Sequence, residues 1–450
     1  MTSDEETIAS LRFGLGPRPD ARAESGPADM LRGLRTLADG PALVDEAADR
    51  ALWAEVREVR EARGDARSGG KAEETAFAAE RKDLRHRLEA IQFASLARAA
   101  GTPHGFAERM ARFWTDHFTV AVKFPGHWSR VAGYPDQAIR PHVAERFEDM
   151  LIAVVRHPAM LMYLDQDRSF GPNSRAGRRR DRGLNENLAR EVLELHTLGA
   201  GGPYRQDDVQ ALAALLTGFA TGKGRFRYRD NMAEPGRFSL LGVRYDGADE
   251  AGTLEALRVL ARHPATARHL ARKLAVHFVA DDPPAALIDA LASRWLETEG
   301  DLSAVSAALL AHPAAWAPLG AKVRPPQEAL IAALRAAGAG AAEIGPDGAF
   351  GRKLTLAALA DMGQAFHRAP GPDGWPEDAA HWITPGGMAA RLKWAARMGR
   401  VLAERVDPRA YAVAALGDAL SPETALAVSR AAERWEGHAL LLASPDFNRR

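Results

Sequence analysis

Phe106-Ala107-Glu108-Arg109-Met110-Ala111-Arg112-Phe113-Trp114-Thr115-Asp116-His117-Phe118 is the stretch that decides the fold class. Phe106, Met110, Phe113, Trp114, His117 and Phe118 recur at three- and four-residue spacing, which puts them on one face of a helix over 104–119. The same period spreads outward in both directions, in a chain rich in Ala, Leu, Arg and Glu. Upstream, 51–63 and 73–100 read as two long charged helices joined by the polar turn Gly64-Asp65-Ala66-Arg67-Ser68-Gly69-Gly70. Together, 51–100 form a charged helical hairpin arm. Downstream, helices are expected at 143–156, 159–165, 184–198, 206–219, 250–263, 266–279, 284–299, 302–312, 325–337, 353–362, 385–404, 408–416, 421–433 and 436–443. The strand signal is thin. Phe226-Arg227-Tyr228-Arg229 alternates and 238–245 is its candidate partner, so at most one short β-hairpin is expected near 225–246. The expected class is mainly α: antiparallel helices, with a motif-bearing core over 101–220 and a C-terminal helical part over 250–450.

Four phrases mark the joints between helices: Arg156-His157-Pro158-Ala159, Arg262-His263-Pro264-Ala265, Ala311-His312-Pro313-Ala314 and Ala443-Ser444-Pro445-Asp446. Proline is at home in the first turn of a helix, where its missing N–H costs nothing. The residue before it avoids helical geometry and sits at the junction. Their irregular spacing excludes a strict solenoid.

The 450 residues carry 59 Lys plus Arg and 59 Asp plus Glu, so formal net charge is zero. That excludes a chain-wide basic footprint for nucleic acid or an anionic membrane. No run approaches the ~18 apolar residues of a membrane span. There is no cysteine, so disulfides, thiolate metal sites, iron–sulfur clusters and cysteine nucleophiles are excluded. The start, Met1-Thr2-Ser3-Asp4-Glu5-Glu6, is acidic and does not read as an export signal, so the expected compartment is the cytoplasm. No nucleotide-binding fingerprint occurs. Gly218-Phe219-Ala220-Thr221-Gly222-Lys223-Gly224 lacks the spacing of a phosphate loop.

Four clusters could carry chemistry. His117, on an apolar face beside Trp114, is either a core histidine or a base or metal ligand. In Asn185-Glu186-Asn187-Leu188-Ala189-Arg190-Glu191-Val192-Leu193-Glu194-Leu195-His196, a regular helix puts Asn187, Glu191 and Glu194 on one narrow face. His196 falls about 140° from Glu191 and about 160° from Glu194, which disfavours one metal held by all three. Those carboxylates read either as a solvated face or as a cleft able to bind a divalent cation or do acid/base work, with Asn187 and Arg190 orienting them. The loop from Ser169 through Asn173 leads to Arg175, Arg178, Arg179, Arg180 and Arg182, which suit a phosphate or an acidic partner, or are simply solvated. Pro370-Gly371-Pro372-Asp373-Gly374-Trp375-Pro376 makes tight turns that fix Trp375, with Trp382, either as a pocket wall or as packing. The candidate site therefore lies between helices 106–118 and 184–198. His117, Glu191, Glu194, Asn187 and Arg190 are its catalytic candidates, and His117, Glu191 and Glu194 could hold a metal. Trp114, Asn173, Arg175 and Trp375 are its substrate contacts.

These motifs resemble a bacterial family, domain of unknown function 1800. The resemblance runs from Arg12-Phe13-Gly14-Leu15-Gly16 through 113–118, His157-Pro158-Ala159-Met160-Leu161 and 185–199. It continues through Leu216-Thr217-Gly218-Phe219, Lys273-Leu274 and 371–375 to Ser444-Pro445-Asp446-Phe447. It implies one family-length helical unit over 1–450 and leaves the activity open. It also implies a partner, a co-encoded product of a second uncharacterised family, 1501, and with it co-export. Two functions are then in play, a metal- or acid/base-dependent enzyme and a helical partner protein. Similar sequences usually have His where this chain has Ala233, before Glu234-Pro235-Gly236.

Overall fold

The computed structural model describes residues 3–20, 24, 26–68, 71–123, 127–180, 182–222 and 224–450. The chain is mainly helical, as its periodicity requires, and the helix expected over 104–119 spans Gly105–His117. No helix among the described residues is long and apolar enough to cross a membrane.

The proline joints share one device. At His157, His263 and His312 the backbone is extended and the ring Nδ1 accepts the N–H two residues on, from Ala159, Ala265 and Ala314, at 3.1, 3.1 and 3.2 Å. Ser444 does the same with its hydroxyl, accepting from Phe447 N at 3.2 Å. Each side chain satisfies an amide that the first helical turn would leave bare.

Three expectations change. The arm's first helix runs Glu46–Ser68, past the expected turn, and the second is Lys71–Gly101; Gly69 and Gly70 lie outside the described residues. The helix over 184–198 begins only at Asn187, and after Asn187–Glu191 it widens into a π turn, Val192–His196. The Thr197 hydroxyl donates to the Val192 carbonyl at 2.6 Å across that wider turn. Finally, the described residues form two β-hairpins. Phe219–Gly222 pairs with Arg225–Tyr228, and Arg237–Leu240 pairs with Val243–Asp246. The segment read as one strand over 238–245 is folded on itself, because Leu241 (φ 49°) and Gly242 (φ 81°) both turn left-handed.

Two large apolar clusters organise the helices. The first gathers Phe13, Phe106, Met110, Trp114, Phe118, Phe147, Leu193, Leu212, Phe278 and Trp295. The second joins the end of Lys71–Gly101, through Phe93 and Leu96, to Leu330, Leu334, Trp394, Leu402, Tyr411 and Leu441. A small third cluster, Val44, Leu52, Val56, Leu84 and Leu88, seats the arm. Buried arginines stitch the segments together. Arg12, 1% exposed, donates to the carbonyls of Ala315, Ala317 and Pro318. Arg335 donates to those of Gly16, Ala99, Ala100 and Thr102.

Candidate functional site

Helix Gly105–His117 lies between these clusters and is polar on the face away from the aromatic core. Glu108, Arg109, Arg112 and Asp116 line a cavity of about 180 Å³. Their charges are matched. Glu108 receives Arg112 at 3.2 Å and Arg140 at 2.7 Å. Glu328 pairs with Arg109 at 2.5 Å and Arg450 at 2.9 Å. Burial works against the Glu328 charge, but Arg109, Arg450 and His277 bring its pKa down to about 2.

Two groups in the cavity retain unused proton capacity. The first is Asp116. Both its carboxylate oxygens face the backbone N–H of Trp375, at 3.0 and 3.2 Å. Burial, with a lesser push from Glu377 and Asp373, raises its pKa to about 7 despite that hydrogen bond. The Pro-Gly turn that delivers Trp375 needs Gly374 at φ +87°; a Cβ there would come within 2.6 Å of the Asp116 carbonyl oxygen.

The second is His277, the penultimate residue of helix Pro264–Phe278. Its Nδ1–H donates to Glu377 Oε1 at 2.5 Å, and its Nε2 is buried with no partner among the described residues. Lys322 Nζ fixes Glu377 from the other side, 3.2 Å from Oε2 and 2.6 Å from its backbone carbonyl. Burial opposes the Glu377 charge, yet His277, Lys322 and Arg450 hold that carboxyl well below the usual range. For His277 burial outweighs the pull of Glu377, so its pKa is lowered. A turn earlier on the same helix is Lys273, for which no hydrogen bond or ion pair is formed among the described residues. Burial lowers its pKa against the pull of Asp116, Glu377 and Asp373.

The expected residues are distributed differently. His117, 2% exposed, sits among Trp114, Phe118 and Phe147, and its Nε2–H donates to the His196 carbonyl at 3.3 Å. Its Nδ1 and that of His196 are buried without partners. Burial, then Lys273, pushes both rings far below ordinary histidine, with His196 at about 3. Trp114 belongs to the core and does not line the cavity. Glu191 and Glu194 are half-buried neighbours. Burial, then Glu194 and Asp373, raises Glu191, while Glu194 takes a hydrogen bond from Tyr204. Arg190 turns back to Glu186 at 3.1 Å, and Asn187 is exposed. Among the described residues, no group of three or more His, Asp or Glu is placed to hold a metal ion. Asn173 donates through its backbone and its amide to Glu234, at 2.8 and 2.6 Å, so it ties the arginine loop to the segment after Ala233. Arg175 is exposed. Trp375 does line the cavity, with Trp382 packed 6.0 Å behind it.

Sequence reasoning did not single out Asp116, His277 and Glu377. A signal for His277 exists: His269, Lys273 and His277 fall at i, i+4 and i+8, an ionisable stripe along an otherwise Ala- and Leu-rich face.

The fold and this cavity define a mainly helical protein with a small, charge-balanced pocket. The chain belongs to the DUF1800 family of proteins of unknown function, whose model matches residues 8–449. Among curated proteins and solved structures, no significant match is found.

Proposed function

We propose that the cavity between helices Gly105–His117 and Pro264–Phe278 is an acid/base active site for a small polar substrate. One observation carries this reading: His277 holds Glu377 with one ring nitrogen and leaves the other free, in a cavity shared with a carboxyl whose pKa is about 7. A neutral imidazole fixed in this tautomer takes a proton at Nε2, and the Glu377 carboxylate stabilises the imidazolium that results. Asp116, half protonated near neutrality, is the complementary acid. The volume equals about six waters of liquid, so the substrate is small or presents a small reactive end. In this reading His117 supports the core, while Glu191, Glu194, Asn187 and Arg190 belong to the neighbouring helix end, and no step passes through a metal.

The test is turnover of a panel of small esters, amides and phosphomonoesters by wild-type and His277→Gln protein. The expected result is hydrolysis of at least one member, reduced ~10²–10⁴-fold in the variant with its melting temperature kept. Turnover equal in the two proteins, or none by wild type, overturns the reading. The alternative role of partner protein also has one observation behind it, the arginine face of 168–182.

A further inference from the structure

Residues 168–182 put six arginines on one short segment: Arg168, Arg175, Arg178, Arg179, Arg180 and Arg182. All six are exposed. Arg168 reaches Asp165 only at 4.0 Å, and Arg180 lies over the Phe170 ring at 5.5 Å. Arg175, Arg178, Arg179 and Arg182 have no ion-pair partner among the described residues. In a chain with equal numbers of acidic and basic residues, this is a local surplus of positive charge that the described residues leave largely unpaired.

The segment that carries it is built, not loose. Gly171 N donates to the Met232 carbonyl at 2.8 Å, and Phe170 N to the Gly183 carbonyl at 3.1 Å. Glu234, 6% exposed, accepts both donors of Asn173. Packing leaves no slack: a Cβ at Gly171 would meet Glu234 at 2.5 Å, and one at Gly177 would meet the Gly171 carbonyl oxygen at 2.1 Å. The backbone that carries the arginines is thus held in place before any ligand arrives, which lowers the ordering cost of binding. Between Asp167, Arg168, Arg180 and Arg182, over Phe170, runs an open groove of about 570 Å³, in which three arginines outnumber the single carboxylate.

We propose that this face docks an acidic segment, rich in Asp and Glu, of a partner protein. Guanidinium groups engage carboxylates in paired, parallel hydrogen bonds, and every basic group here is an arginine. Two other anionic surfaces fit less well. A bilayer would be entered by apolar side chains beside the charges, and none of the large exposed ones (Leu43, Val243, Leu296, Ile383, Leu392, Val413, Leu426, Leu440) belongs to this segment. Single-stranded nucleic acid is gripped by exposed aromatic rings, and Phe170, the one ring here, is buried beneath Arg180. The proposal is independent of the acid/base cavity.

The experiment is fluorescence anisotropy of a labelled hexaglutamate peptide with the whole protein. It is run at low and physiological salt, for wild type and for a triple variant, Arg178→Glu, Arg179→Glu and Arg182→Glu. A second triple variant, to Ala, guards against artefacts of charge reversal. A labelled oligonucleotide and anionic phosphatidylglycerol vesicles are run in parallel. The expected result is saturable peptide binding, weakened roughly tenfold or more by either triple variant and by salt. No peptide binding at low salt, binding unchanged in both variants, or stronger arginine-dependent binding of the oligonucleotide or vesicles overturns the proposal.

Discussion

Asp116 is a half-buried carboxyl set against a backbone amide. Its unfolded pKa is near 3.8 and its folded pKa is about 7, so the folded state binds the extra proton. Stability therefore falls as pH rises from 3.8 to 7, and the full cost of burying the charge is present above 7. Asp116→Asn, which can still accept from Trp375 N, is expected to stabilise the protein at pH 8. The gain is on the order of 3 kcal/mol, shrinking toward zero near pH 4. Melting curves at several pH values check this; a gain that grows toward acid sinks it. The motif around Asp116 was legible as chemistry, but one step along a helix turns 100°. That step separates His117, in the aromatic core, from Asp116, in the cavity. Whether a helix face meets a core or a cavity depends on tertiary packing, which the motif does not record. His277 was hidden for a related reason: its partner Glu377 is a hundred residues away.

Helix boundaries were the most readable elements, because proline and a capping side chain mark them locally. His263 shows the physics. It caps through a bare Nδ1, so protonation removes the cap. Its pKa is lowered by burial, so the cap's stability is present above the unfolded pKa near 6.5 and is lost as pH falls through the lower folded value. His263→Ala is expected to cost about 1 kcal/mol at pH 8 and much less at pH 5, while His263→Asp keeps the cap at both. Urea midpoints at the two pH values decide it; a cost independent of pH contradicts the capping role. The second hairpin was not legible. Its turn uses Leu241 in left-handed geometry, with none of the Asn-Gly or Asp-Gly signals that announce such turns. The π turn at Val192–His196 was likewise invisible, since a regular 3.6-residue period was the only local expectation.

For the whole molecule, the question is what holds two apolar clusters as one body. Arg109, on a helix of the first cluster, pairs with Glu328 on a helix of the second, and Arg335 ties segments of the second cluster together. From helix Pro326–Ala336 it donates to four carbonyls, at Gly16 and at the end of Lys71–Gly101. At 450 residues the chain is long enough for two or three domains or for one large one. Buried arginines bonded to main-chain carbonyls far away in sequence, such as Arg12 at Ala315, are what joins the parts, and neither hydropathy nor spacing reveals them. Arg335→Met keeps the stem and leaves those carbonyls unpaired, so a loss of about 3–5 kcal/mol is expected. Calorimetry checks it, and a melt left within a degree of wild type contradicts it.

The turn at Gly374 lies against the proton-bearing group and also walls the cavity. If that turn lifts to admit a ligand, water reaches Asp116, and the desolvation that keeps its proton in place is relieved. Entry to the chamber and discharge of an acid are then a single mechanical event. The acid would be armed only once that Pro-Gly turn has closed again over the ligand.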